Sequence, residues 1–264
     1  MSAPRRPVTH AVVVGASSGV GKLVADALAA QGATLSTVGR SKAPRADSFH
    51  TTSSDLAALD WAAAYAEMEA HARAPIDAVV YVAGDAAFGR AAAVPTARAR
   101  RLFEANVWGP VAAATAADVL WEAPRLGTFV SVSSIAGRRA VPFEAHYCAS
   151  KAACARFLEA LDLEHPDGRA RYLSVYPGRL RTAFRAHADW HGAPPDPSPA
   201  EGSDPASVAT SILQVLAGSR GAHVIGLREN AIDLADRLSP RLYDSLVLKR
   251  RVRGLLARGR KSTD

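Results

Sequence analysis

The stretch HAVVVGASSGVGKLVADALAA, residues 10–30, decides the fold. His10 to Val14 is a short β-branched run of the kind that makes a strand buried on both faces. Val20, Leu23, Val24, Ala27 and Leu28 then recur at one-face helical spacing, and Gly32 closes the helix. Between strand and helix lies the turn Gly15-Ala16-Ser17-Ser18-Gly19-Val20-Gly21. Such a turn places backbone N–H groups and a helix N-terminus where a pyrophosphate can sit. The spacing is G-x-x-x-G-x-G rather than G-x-G-x-x-G, so its weight comes from its place after the first strand and before the first helix.

Outward from this unit, Ala33 to Val38 reads as a second strand ending in Gly39-Arg40. In a dinucleotide fold that strand end meets the adenosine ribose, where a carboxylate would accept from the 2′-OH. Arg40 can instead pair with a 2′-phosphate, which favours NADP(H) over NAD(H). A plain surface arginine is the alternative, since arginine supplies 27 of the 32 basic residues.

Residues 41–54 read as a polar loop, followed by Asp55-Leu56 and an alanine-rich helix to about Arg73. Ile76 to Val82 has strand character, and GDAAFGRAAAVP (84–95) reads as a loop. A long helix is expected from Thr96 through Asn106, with a kink at Gly109-Pro110. A strand from Gly127 delivers Ser134 at its C-terminal end, where ligands bind in such folds. The helix carrying Tyr147 and Lys151 runs to about Glu164, Arg171 to Tyr176 is a strand, and PGRLRT (177–182) follows. Residues 183–204 are too irregular for a core element and suit a lid. A helix over 205–218, a strand over 222–226 and a helical remainder with Leu238, Leu242 and Leu246 at i, i+4, i+8 complete the chain. The alternation predicts an α/β fold: a Rossmann-like, doubly wound parallel sheet of about seven strands with helices on both faces. It forms one domain over 8–226, and 227–264 is a helical extension.

Composition bounds the function. The 264 residues suit one large domain with a sizeable core, and no apolar run approaches the roughly 20 residues of a membrane span. No signal-type stretch precedes Ala11, so a cytoplasmic protein is expected. Cys148 and Cys154, six apart on one helix, point different ways and do not bridge; with no clustered His, no metal site is expected. Seven basic residues and one acidic in 249–264 carry six of the seven net positive charges. The body is thus balanced, nucleic acid is not the expected partner, and only a peripheral membrane contact of the tail stays open.

The chemistry lies in SSIAGRRAVPFEAHYCASK, residues 133–151. Tyr147 and Lys151, four apart on a helix, share one face. An ammonium beside a phenol is expected to lower its pKa from about 10, making a general acid or base.

With these parts in order, the chain resembles a short-chain dehydrogenase/reductase over roughly residues 8–226. The resemblance is carried by GASSGVG (15–21), Asp55-Leu56, Ala83-Gly84, NVWG (106–109), SVSS (131–134), YCASK (147–151) and PGRLRT (177–182). It implies that Tyr147 is the catalytic acid/base, that Lys151 tunes it and binds the nicotinamide ribose, and that Ser134 polarises the substrate carbonyl. Asn106 would hold a water in the proton path. Gly15, Ser17, Ser18, Gly19, Val20 and Gly21 would form the pyrophosphate loop. Asp55 and Leu56 would contact adenine, while Ala83, Gly84, Pro177, Gly178 and Thr182 would line the cofactor. Two departures stand out: Val14 replaces the family's usual Thr, and Tyr81-Val82 replaces the Asn-Asn before Ala83-Gly84. A homodimer or homotetramer is implied, with helices after Asn106 and Tyr147 at the two-fold axis.

Phe143, His146, Phe184 and Trp190 are expected to line a partly apolar substrate pocket. Arg138, Arg139, Arg179, Arg181 and Arg185 either line a route for an anionic substrate or are solvated. The expected function is NADPH-dependent reduction of a ketone or aldehyde, with Tyr147 as acid. An NADP-dependent alcohol dehydrogenase and a non-catalytic NADP(H)-sensing or scaffold protein stay open as alternatives.

Overall fold

The apolar run at the head of the chain becomes the middle of a seven-stranded sheet. In the computed structural model, which describes residues 7–41, 45–122, 124–192, 202–218 and 223–239, strand β1 (His10–Val14) is buried along its whole length. It pairs in parallel with β2 (Thr34–Gly39) on one side and with β4 (Ala78–Tyr81) on the other. Outside β2 lies β3 (Phe49–Thr52); beyond β4 come β6 (Gly127–Val132), β7 (Ala170–Pro177) and β9 (His223–Ile225). The order β3-β2-β1-β4-β6-β7-β9 reverses direction at β1 and β4. The crevice at that reversal, beyond the C-terminal strand ends, is where a doubly wound sheet accepts its ligand.

Helices cover both faces. Helices α1 (Gly19–Ala30) and α6 (Pro205–Leu216) bury Val20, Val24, Leu28, Val208 and Ile212 against one face. The other face is packed by α2 (Trp61–Ala72), α4 (Gly109–Leu120) and α5 (Ala145–Leu163), with Tyr65, Trp121 and Leu158 in the core. Each fully buried aliphatic side chain of this kind contributes about 1.5–3 kcal/mol relative to exposure. Helix α7 (Leu227–Leu238) follows β9. Leu242, Leu246 and the basic tail lie outside the described residues.

Three sequence expectations are corrected. The polar loop 41–54 contains the edge strand β3, half-exposed and paired only with β2, so its FHTT sequence lacks the apolar run of an inner strand. The loop 84–95 contains β5 (Ala87–Gly89), which pairs in parallel with β8 (Asp189–His191) from the irregular region to form a separate two-stranded sheet. The long helix from Thr96 carries its irregularity just before Gly109-Pro110. It is α3 (Thr96–Phe103), a π turn over Glu104–Trp108, and then α4, with helical backbone continuing through the junction to Pro110. The wide turn leaves room for Tyr81: a Cβ on Gly109 would stand 2.5 Å from the Tyr81 hydroxyl.

Candidate active site

The turn after β1 is shaped by what its glycines lack. Gly15 has φ +88°, and a Cβ there would lie 2.8 Å from the backbone N of Ala83. At Gly21 a Cβ would fall 2.2 Å from the Gly15 carbonyl oxygen, so the first turn of α1 closes directly on the loop. Ser17, Ser18 and Gly19 are exposed, and Ser18, the N-cap of α1, makes no capping bond with its side chain. The first N–H groups of a twelve-residue helix therefore face an open cradle. Across it stands Thr182, whose Cγ2 lies 3.7 Å from a Cβ built on Gly19. This cradle fits the pyrophosphate of a dinucleotide.

Other expected cofactor residues gather at the same strand ends. Ala83 N–H donates to the Val14 carbonyl at 3.0 Å, joining the second loop to the first. A Cβ on Gly84 would approach Asn106 Oδ1 at 3.1 Å and Lys151 Nζ at 3.2 Å, so only glycine leaves that floor open. Arg40 is exposed just past β2 and makes no ion pair with another described residue. Pro177 ends β7, with Gly178 half-buried behind it, and Thr182 accepts from the Phe184 N–H at 3.4 Å. Asp55 caps its own turn, its carboxylate accepting from Ala57 and Ala58 N–H at 3.0 and 3.2 Å, while Leu56 packs into the core.

The chemical groups converge at the end of β6. Ser134 caps the single 3-10 turn Ile135–Gly137, accepting from the Ala136 N–H at 3.2 Å. That turn presses on α5: a Cβ on Gly137 would lie 3.0 Å from the Lys151 backbone carbon. The close approach sets Ser134 beside Tyr147, near enough for its hydroxyl to act on the titration of the phenol. One turn along, the Lys151 ammonium donates to the Val132 carbonyl at 3.1 Å and lies 5.9 Å from the Tyr147 ring centroid. Asn106, buried in the π turn, donates to Ser150 Oγ at 3.0 Å and to the Asp85 carbonyl at 2.9 Å.

The expected acidification of Tyr147 is not what this environment produces. Burial dominates and pushes the phenol well above its ordinary value of 10, with the Glu144 carboxylate adding to the rise. The Ser134 hydroxyl and the Arg185 charge act in the opposite direction. Burial also lowers the Lys151 ammonium, with the Cys154 charge opposing it. Tyr147 is thus a protonated group held among polar partners. Nearby, burial pushes the Cys148 thiol up to about 11, and both cysteines are free.

Above Tyr147 sits an aromatic wall. Phe88, on β5, meets the Tyr147 ring edge-on at 5.5 Å, and Trp190, on β8, lies 5.1 Å from Phe88. Phe184 lies 6.2 Å from Tyr147. Of the expected pocket residues, Phe184 and Trp190 therefore join the site. Phe143 enters through its backbone: at φ +68° its carbonyl accepts from the Gly89 N–H at 2.7 Å. His146, half-buried on the first turn of α5, makes no hydrogen bond, ion pair or ring contact among the described residues. Phe88 and Glu144 are additions that the sequence did not suggest, because Phe88 stood in an apparent loop.

The arginines divide. Arg185 pairs with buried Glu144 at 2.9 Å, its guanidinium 4.3 Å from the Phe88 ring centroid. Arg138 binds Asp233 at 2.6 Å and stacks on Tyr176, which ties the 3-10 turn to α7. Arg181 reaches Asp204 at 4.0 Å.

Comparison with known proteins agrees with this geometry. A family model described as short chain dehydrogenase matches residues 9–191. An uncharacterized oxidoreductase, YxnA, from Bacillus subtilis is 27% identical over 255 residues, covering 90% of this chain and 71% of that protein. Dehydrogenase/reductase SDR family member 7B from Bos taurus is 30% identical over 235 residues, covering 80% of this chain and 72% of that one. Among solved structures, a short-chain dehydrogenase from Streptomyces avermitilis superposes with TM-score 0.76 at 24% identity, over 94% of this chain and 98% of that one. A short-chain dehydrogenase from Burkholderia cenocepacia, solved in complex with NADP, gives TM-score 0.76 at 22% identity, over 91% and 98%. Sequence match, sheet order and nucleotide cradle agree, and the chain belongs to the short-chain dehydrogenase family of oxidoreductases.

Proposed function

We propose that the chain is an NADPH-dependent reductase of a ketone or aldehyde, with Tyr147 as general acid. The observation that carries this reading is the convergence of three groups at the end of β6: Ser134 at the head of the 3-10 turn, Tyr147, and Lys151, whose ammonium lies 5.9 Å from the Tyr147 ring centroid. The Gly15–Gly21 turn would hold the pyrophosphate, Arg40 the 2′-phosphate, and Lys151 the nicotinamide ribose; the bound nucleotide would supply the hydride. Ser134 is placed to donate to a carbonyl oxygen beside the phenol and to steady its developing charge. Tyr147 would give its proton to the carbonyl oxygen as hydride reaches the carbon. Asn106 fixes the floor behind Lys151, where a proton-relay water would be held. Of the expected lid over 183–204, residues 193–201 lie outside the described residues; in the described part Phe184 and Trp190 would form the inner surface of the site. The free cysteines fit a cytoplasmic protein, and a homodimer or homotetramer is the working assembly.

Consumption of NADPH and of NADH is measured across a panel of aldehydes and ketones, for wild type and Tyr147→Phe. The wild type is expected to oxidise NADPH with some members. Tyr147→Phe should bind NADPH normally and lose about 10²–10⁴-fold in turnover. Wild-type turnover by that variant would remove Tyr147 from the role of acid.

A further inference from the structure

Arg98, on α3, is only 8% exposed, and it pairs with two carboxylates, those of Asp85 and Asp189. Its Nη1 and Nη2 donate to Asp85 Oδ2 and Oδ1 at 2.6 and 2.9 Å, and Nη2 also donates to the Ala86 carbonyl at 2.9 Å. Its Nε donates to Asp189 Oδ2. One guanidinium therefore joins α3, the loop after β4 and strand β8.

Both carboxylates lead to the chemistry. Asp85 directly follows Gly84, the floor beneath Asn106 and Lys151. Its N–H donates to Asn106 Oδ1 at 2.8 Å, and its carbonyl accepts from Asn106 Nδ2 at 2.9 Å. Asp189 directly precedes Trp190, which rests on Phe88, which in turn rests on Tyr147. Strand β8 has three residues and, among the described residues, pairs only with β5, so its backbone ladder alone is a weak fixture. A planar fork of donors can hold two carboxylates and a carbonyl at fixed angles; a lysine ammonium cannot.

We propose that Arg98 is a positioning residue that ties the aromatic wall over Tyr147, through Asp189, to the nicotinamide side of the cofactor floor, through Asp85. The proposal rests on the reading of Tyr147 given above. It makes Arg98 and Asp189 determinants of carbonyl binding without touching substrate. The wall then has one position relative to the floor, so the space between them, and hence the carbonyl compounds admitted, is set by this cluster.

Asp189→Asn is the cleanest probe, since it keeps the side-chain shape, the β5–β8 ladder and the Arg98–Asp85 pair. Arg98→Lys keeps the charge and loses the fork. The full-length chain is used, with three readouts: backbone hydrogen exchange over 187–191, steady-state kinetics with NADPH and 4-nitrobenzaldehyde, and NADPH affinity by fluorescence. Both variants are expected to speed exchange over 187–191 and to raise the aldehyde KM about tenfold. For Asp189→Asn, kcat should stay within about twofold and NADPH affinity should be unchanged, since the floor is left intact. A merely structural contact would lower the active fraction and kcat without a selective rise in KM. Unchanged exchange and KM in Asp189→Asn, or a loss that follows NADPH affinity, overturns the tether. If the wild type reduces no carbonyl compound, the functional reading fails; the tether is then decided by exchange alone, and equal exchange in wild type and Asp189→Asn overturns it.

Discussion

Arg40 stands one residue beyond Gly39 at the exposed end of β2, where the adenosine ribose of a bound dinucleotide belongs. No described carboxylate competes for its guanidinium, so a 2′-phosphate there would gain a charge-assisted contact. Such contacts are worth about 1.5–3 kcal/mol, or roughly one to two orders of magnitude in affinity. Arg40→Ala should weaken NADPH binding by about that much and leave NADH affinity where it was. Equal losses for the two nucleotides, or none, would show that Arg40 does not read the phosphate. The place of Arg40 was legible because it depends only on position after a strand. The state of Tyr147 was not. The YxxxK spacing shows an ammonium one turn away, but burial dominates the phenol, and the residues packed on it include Phe88, brought in from a distant segment. Arg98, Asp85 and Asp189 were hidden for the same reason, since 91 residues separate Arg98 from Asp189.

At the scale of the element, β1 carries an unusual passenger. His10 is fully buried at the head of the central strand. Its Nδ1 pairs with the Ala74 carbonyl at 3.0 Å and its Nε2 with Ser36 Oγ at 2.9 Å. A neutral ring with the proton on Nδ1 satisfies both, the serine then donating to Nε2. Burial lowers its pKa below the usual 6.5, the Ala74 bond and the charges of Asp77 and Glu69 opposing this only in part. The sign follows: below about pH 6.5 the unfolded chain takes up a proton that the folded one refuses, so stability falls as pH drops through that value. The slope approaches about 1.4 kcal/mol per pH unit until the native ring titrates as well. Urea unfolding between about pH 7.5 and 5.5 should show it, and His10→Asn should remove most of it while being less stable at the upper end of that range. A slope that persists in His10→Asn would place the acid sensitivity elsewhere. Inner strands such as β1, β6 and β7 are legible because burial on both faces leaves continuous apolar runs. The edge strand β3 and the three-residue β5 and β8 are not, because pairing rather than composition makes them strands.

At the scale of the molecule, the doubly wound order follows from the repeated strand–helix alternation, and one core on each face of the sheet completes it. What alternation does not show is which outer faces stay uncovered. On α4 and the π turn before it, Trp108, Val111, Thr115 and Val119 recur at spacings of three and four and so share one face. Trp108 is 55% exposed and Val119 66% exposed, with Thr115 exposed between them. The neighbouring α5 presents the exposed small residues Ala149, Ala153 and Ala160, which allow another helix to approach closely. An assembly of copies through this surface would bury Trp108 near its centre, where a tryptophan typically carries about 2 kcal/mol or more of the binding energy, a factor of roughly 30 in Kd. Trp108→Asp adds an unpaired carboxylate to that loss, so sedimentation at micromolar concentration should show the wild type as a dimer or tetramer and the variant shifted toward monomer. Within one chain Trp108 is exposed, so the variant should keep its fold and its circular dichroism spectrum, while its thermal midpoint loses the share that association supplies. Because Trp108 is only two residues from Asn106 on the same π turn, dissociation should also loosen the floor beneath Lys151 and weaken NADPH binding in the monomer. An unchanged oligomer in Trp108→Asp would mean that this face does not hold the copies together.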